Sequence, residues 1–282
     1  RRQALIFEIT NALALDTPIP TPDGWTAMGD LLAGDRVFDD LGRPCSVTGV
    51  SAVMEDHQCY RVVFDDGTAI IADAGHLWET RQKWSFHTRA DVLAGVPRNN
   101  GTFLPRGTRE QVGVRTTQQI KDTVRYQGFA NHSVRLADPL MLPDAVLPID
   151  PYVLGCWLRD GNSKDSGIVV TDADVQIVAN IAAAGVSVGR RRPVGLASTP
   201  LPTLGMYGLG VTGHGRRDSL HCTLKRHGLL RNKHIPSEYL RASHQQRLSL
   251  LQGLMDTDGH ISPRSGRCVF TQSRPSLIKQ VA

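Results

Sequence analysis

Short apolar runs separated by polar turn residues fill the first part of the chain, and longer apolar stripes at helical spacing take over in the second. RVF (36–38), CSVTGV (45–50), CYRVVF (59–64) and AII (69–71) are bounded by PDG (22–24), DDLG (39–42) and DDG (65–67). Closely spaced strands with Gly and Asp at the turns predict an all-β body over residues 12–80. PRNNGTFLPRGT (97–108) reads as a loop, and TTQQIKDTVRY (116–126) as a short helix that Thr116 or Thr117 can cap. In LPIDPYVLG (147–155) two prolines bracket an extended piece where one module stops and another begins. Beyond it, PYVLGCWLRD, DADVQIVANIAAAG, SLHCTLKRHG and QQRLSLLQGLMDTDG carry helical periodicity. The expected organisation is a mainly-β module over 12–146, then an α/β module over 147–282.

Composition narrows the classes. Of the 282 residues, 40% are apolar and 21% charged, enough for packed cores and too few charges for a disordered chain. A net charge of +5 tilts toward a polyanionic partner. Five cysteines, at 45, 59, 156, 222 and 268, form no CxxC pair and no regular framework. That usage suits a reducing cytoplasm, and a cytoplasmic monomer is expected. No apolar run is long enough to span a bilayer, and RRQALIFEIT at the start, interrupted by Glu8, does not read as a signal peptide.

The sharpest internal signal is a pair of related segments, VLGCWLRDG (153–161) and LQGLMDTDG (251–259). Each is an apolar helix with an early Gly, an Asp in its last turn and a Gly directly after. Gly161 and Gly259 suit a left-handed C-cap. Gly155 and Gly253 would let two such helices approach closely. The acids are out of place electrostatically, because a carboxylate at a helix C-terminus costs roughly 0.3–1 kcal/mol. Two such ends side by side add like-charge repulsion. Divalent cations between Asp160 and Asp258 would relieve both costs, and oxygen ligands suit Mg²⁺. Two metals could activate a water and stabilise the leaving oxygen of a phosphodiester.

This pair resembles the two LAGLIDADG motifs of homing endonucleases. The resemblance implies motif helices at the interface of two αββαββα halves, with Asp160 and Asp258 as the acids that bind catalytic Mg²⁺ and Asp256 as a lesser candidate. NKHIP (232–236) resembles the Lys-x-Ile-Pro element, making Lys233 the active-site lysine. The family's strands read double-stranded DNA, and GIVV (167–170) and SVGRRRPVG (187–195) are the candidate strands here, with Arg190, Arg191 and Arg192 as a phosphate or base-edge patch. Too few residues follow Gly259 for a second full half, so that half is expected to be incomplete.

The opening block, ALALDTPIPTPDGWTAMGDLLAGDRVF (12–38), resembles the first block of inteins of the horseshoe-like Hint fold. DGTAIIADAGHLW (66–78) resembles the intein block with an essential histidine. The resemblance implies a splice junction between Asn11 and Ala12 and a tail of the interrupted host protein over 1–11. His76 would polarise the scissile amide and protonate its nitrogen, and Asp73 would orient the amide or His76. Inteins usually begin with Cys or Ser, and Ala12 carries no nucleophile. A minority class lacks that residue, carries Trp in the histidine block, and uses an internal Cys for direct attack. Ala12 with Trp78 resembles that class, the other reading being that Ala12 is a replaced cysteine. On a strand, His76 and Trp78 share one face. The implied nucleophile and closing His-Asn belong to C-terminal blocks absent from this sequence. The leading expectation is thus a bifunctional intein that splices and cuts the intein-free host gene. The alternatives are a degenerate intein that binds DNA without cutting, and an autoprocessing Hint domain that cleaves without ligation.

Overall fold

The computed structural model describes residues 12–83, 111–126, 128–196, 199–210, 219–264, 266–272 and 274–281, without the side chains of 111, 196, 199, 200 and 258. Asn11, the expected tail over 1–11, and the loop expected over 97–108 lie outside the described residues. The chain divides into two compact units, Arg1–Leu140 and Met141–Ala282. The division falls just before the bracketing prolines because residues after Leu140 are already tied to the second unit. The Gln246 side-chain amide bonds both the N–H and the carbonyl of Ala145, at 2.9 and 2.8 Å. The Tyr239 hydroxyl does the same for Ile149.

The first unit is built from small antiparallel pairings. Strands β1 (Pro18–Thr21) and β2 (Gly24–Ala27) pair across the PDG turn. Strands β3 (Arg36–Phe38) and β4 (Pro44–Ser46) pair across DDLG, where the Asp39 carboxylate accepts the N–H groups of Leu41 and Arg43. Strands β5 (Cys59–Val63) and β6 (Ala69–Asp73) pair across DDG, where Gly67 takes φ 85°. The run expected over 45–50 forms a strand only as far as Ser46, where its pairing with β3 ends. Strand β7 (Leu77–Gln82) lies between β8 (Gln111–Thr116) and β11 (His132–Val134), and the short pair β9 (Arg125–Tyr126) and β10 (Phe129–Ala130) precedes β11. The expected helix is α1 (Thr117–Thr123), and Thr116 caps it in a box with Gln119. Among the described residues this unit buries few large apolar side chains; its centre holds Thr80, Thr117, Asn131 and Asp73. Each is hydrogen-bonded, as buried polar groups must be.

The second unit has an apolar core. Helix α2 (Pro151–Asp160) begins with Asp150 as N-cap and proline in its first turn. Strand β12 (Gly167–Thr171), helix α3 (Val175–Ala183) and strands β13 (Arg192–Leu196) and β14 (Thr199–Gly208) follow, with sheet order β12-β14-β13. Next come α4 (Leu220–Arg226), α5 (Ser237–Leu240), α6 (His244–Asp258), β15 (Gly259–Ile261), β16 (Cys268–Phe270) and α7 (Pro275–Val281). Val153, Leu154, Trp157, Leu158, Ile168, Ile181, Leu224, Leu254 and Leu277 pack together in the core.

Helices α2 and α6 cross at their glycines. A Cβ on Gly155 would strike the Leu250 carbonyl, and one on Gly253 the Tyr152 carbonyl. The two contacts are equivalent, as expected of paired motifs. The terminal glycines are not left-handed caps, which corrects that expectation. Gly161 (φ −68°, ψ 147°) and Gly259 (φ −80°, ψ 151°) are extended, because each helix runs straight into strand pairing. What requires glycine there is space: a Cβ would strike Trp157 at Gly161 and Met255 at Gly259.

Gly155→Ala and Gly253→Ala should each destabilise the second unit by about 1–3 kcal/mol, since backbone meets backbone and only helix separation makes room. Urea unfolding measures this, and an unchanged midpoint for both variants would refute the crossing.

Candidate functional site

The residues singled out in the first unit converge at the end of β6. Residues 12–14 lie along that strand: Leu13 bridges Ala72, the Ala14 N–H donates to the Ile71 carbonyl at 3.1 Å, and the Asp73 N–H donates to the Ala12 carbonyl at 2.9 Å. The backbone then turns. The His76 N–H returns to the Asp73 carbonyl at 3.1 Å, and the Gly75 N–H donates to the Asp73 carboxylate. The N-terminus of α1 holds this turn from its other side. The Gln118 N–H donates to the Ala74 carbonyl at 3.0 Å and the Thr117 N–H to the His76 carbonyl at 2.9 Å. A helix N-terminus has N–H groups to give, so it is a natural clamp for a turn of carbonyls.

His76 and Trp78 share a face, as their spacing implies. Their rings meet edge to face at 4.8 Å between centroids. Trp78 is fixed by its Nε1–H, which donates to the Thr117 hydroxyl at 2.9 Å, and by Phe64 edge to face at 6.4 Å. The Asp73 carboxylate takes the Nδ1–H of His57 at 2.7 Å. Burial opposes the charge on Asp73, but the His57 and Gly75 hydrogen bonds and the attraction of His57 and His76 outweigh it and hold its pKa below the ordinary carboxylate value. The Asp73 side chain therefore serves His57 and the turn, while its main chain holds Ala12 and His76. Sequence reasoning missed His57 and Thr117. His57 lies in a stretch without periodicity, and Thr117 reads only as a helix start.

In the second unit, Asp160 is the half-buried last residue of α2. Asp258 ends α6, and its side chain lies outside the described residues. Asp256 is exposed and accepts the Tyr152 hydroxyl at 2.8 Å. Lys233 is buried against the end of α2, where its Nζ donates to the carbonyls of Gly161 at 2.6 Å and Arg159 at 3.3 Å and lies 4.9 Å from the centre of the Trp157 ring. Burial, then repulsion from Arg274 and Arg159, pushes its pKa down to about 8 against the pull of Asp160. Of the arginine triplet, Arg191 is committed internally, with its guanidinium on Asp172 and on the carbonyls of Pro202 and Leu204. Arg190 and Arg192 are exposed. Among the described residues no group of three or more His, Cys, Asp or Glu could hold a metal ion. No helix among them is long and apolar enough to cross a membrane.

No family model matches the chain. It is 38% identical over 279 residues to the replicative DNA helicase DnaB of Mycobacterium intracellulare, covering 97% of this chain and 42% of that protein. DnaB of Mycobacterium leprae (strain TN) is 44% identical over 88 residues, 31% of this chain and 14% of that one. The chain thus spans less than half the length of these curated relatives. Among solved structures, the Msm DnaB1 intein splicing domain bound with zinc matches at 55% identity over 24% of this chain and 55% of that one, with a TM-score of 0.24. The MchDnaB-1 intein matches at 37% identity, covering 37% of this chain and 78% of that one, with a TM-score of 0.25. Superpositions this loose say nothing of the fold. At 37% identity the shared residues run through most of the MchDnaB-1 intein. The chain belongs to the intein family.

Within this intein, the buried Asp73 makes the first unit sensitive to acid. Its folded-state pKa is depressed, so the stability it contributes is complete above the unfolded-state carboxylate pKa and is lost as pH falls through the lower folded-state value. Asp73→Asn should remove that component. Acid unfolding followed by circular dichroism should show a shallower acid limb in the variant, and superimposable limbs would contradict the stabilised carboxylate.

Proposed function

We propose that the chain is the splicing element of a longer precursor, cut at Asn11–Ala12, and that its second unit is a magnesium-dependent homing endonuclease. The observation that carries the splicing reading is that Asp73 binds both the Ala12 carbonyl and the His76 N–H, with the Trp78 ring against that of His76. Asp73 holds the Ala12 carbonyl through its N–H and the His76 N–H through its carbonyl, and this shared anchor supports the reading that His76 serves the bond before Ala12. Ala12 offers only a methyl group, so a cysteine thiolate elsewhere in the precursor attacks the Asn11 carbonyl. The C–N bond to Ala12 breaks as the thioester forms, and His76 delivers a proton to the departing nitrogen. Trp78 and Thr117 fix the face and the backbone of His76. By analogy with the matched helicases, the host is a DnaB-like replicative helicase.

The endonuclease reading rests on the matched crossing of α2 and α6 at Gly155 and Gly253, each helix ending in an acid five residues later. Hard oxygen donors such as Asp160 fit Mg²⁺, and Asp160 with Asp258 would hold it. Bound there, the ion would supply an activated water and charge neutralisation at a phosphodiester. Arg190 and Arg192 would contact the phosphates of double-stranded DNA, while Arg191 braces the sheet beneath them. Lys233 would keep the end of α2 in shape by holding the carbonyls on either side of Asp160.

In the full precursor, His76→Ala should slow cleavage at Asn11–Ala12 by about 10²–10⁴-fold, the usual worth of general acid help. Ala12→Gly should change the rate little, because neither side chain is a nucleophile. Mass spectrometry of released fragments reads both, and an unchanged rate in His76→Ala would end the splicing assignment. For the second unit, Asp160→Asn should abolish magnesium-dependent nicking of the uninterrupted host gene while sparing binding. Wild-type cutting by that variant would refute the metal role, and DNA binding without nicking by the wild type would favour the degenerate reading.

A further inference from the structure

Asp73 is the junction of the first unit's centre. Its N–H holds the Ala12 carbonyl, its carbonyl holds the His76 N–H, and its carboxylate holds the Gly75 N–H inside the same turn. From outside the turn the carboxylate takes the Nδ1–H of His57, at 2.7 Å, sixteen residues earlier in the chain. The Asp73 side chain is only 7% exposed, whereas that of His57 is 46% exposed. A buried carboxylate without a charge-assisted donor pays a desolvation cost that it can escape only by rotating toward water or taking a proton. Either escape weakens the Gly75 contact, and the turn that aims His76 then loses one of its fixed points.

We infer that His57 is a positioning residue for splicing, acting through Asp73: its Nδ1–H holds the Asp73 carboxylate in place, and Asp73 in turn holds the Ala12 carbonyl and the His76 turn in register. The inference rests on the splicing role proposed for His76. His57 itself need not touch the reacting atoms. What matters is a donor at the position of Nδ1, and this separates the idea from a general packing role for the ring. Asparagine places an N–H near Nδ1, glutamine places one near Nε2, and phenylalanine keeps the ring and has no donor.

The test measures cleavage at Asn11–Ala12 in the full precursor for the wild type, His57→Asn, His57→Gln, His57→Phe and His76→Ala. Hydrogen exchange of the Gly75 amide is measured alongside. A hydrogen bond to a charged group is worth roughly 10- to 100-fold in an equilibrium constant, so a variant that loses it should hold the turn in register, and cleave, less by about that factor. His57→Phe and His57→Gln should fall by that factor and exchange Gly75 faster, while His57→Asn stays close to wild type. Should His57→Phe fail to fold, the contrast between the two amide variants carries the test, since both are polar and differ only in where the donor sits. Equal losses in the Asn and Gln variants, or no loss in either Gln or Phe, would overturn the inference. His76→Ala separates the two levels: if it is inactive while all His57 variants splice normally, only the His57 role falls, and if it splices normally, the underlying reading falls with it.

Discussion

The second unit depends on one close approach of two backbones. Gly155 lies against the Leu250 carbonyl and Gly253 against the Tyr152 carbonyl, so a single methyl at either position has nowhere to go. That contact fixes the spacing of α2 and α6, and the spacing decides how Trp157, Leu154 and Leu254 fill the core around them. Both helices pass directly into strand pairing through an extended glycine, so the acids at 160 and 258 sit at a helix-to-strand junction and not in a loose loop.

The first unit is held differently. Among the described residues its interior is polar, and stability there comes from completing hydrogen bonds more than from apolar burial. Asn131 bonds the Thr123 carbonyl, Thr117 links Trp78 to the His76 backbone, and Asp73 joins three separate segments. Such a network is costly to leave half-made. The same network ties the Ala12 carbonyl and the His76 N–H to one residue, Asp73.

Both centres share a physical device. A charged or reactive side chain is placed at the end of a regular element, and a neighbour grips the main chain next to it. The start of α1 grips the carbonyls of Ala74 and His76, and Lys233 grips those of Arg159 and Gly161. Main-chain grips fix position without occupying the side chain between them, as the roles proposed for His76 and Asp160 would require.

The strand pairs around PDG, DDLG and DDG, the capped helix at Thr117, the paired helices ending at Asp160 and Asp258, and the shared face of His76 and Trp78 were all legible in the residue pattern. These follow from local turn chemistry and from the periods of strand and helix, which neighbouring residues carry in full. The sequence also made the family resemblance legible through the blocks at 12–38 and 66–78. Folding alone brings His57 to Asp73, spends Lys233 on carbonyls at a helix end, ties Arg191 to Asp172, and extends Gly161 and Gly259. Each of these depends on a partner far away in the chain or on space left by a packed neighbour. No local pattern of residues encodes either one.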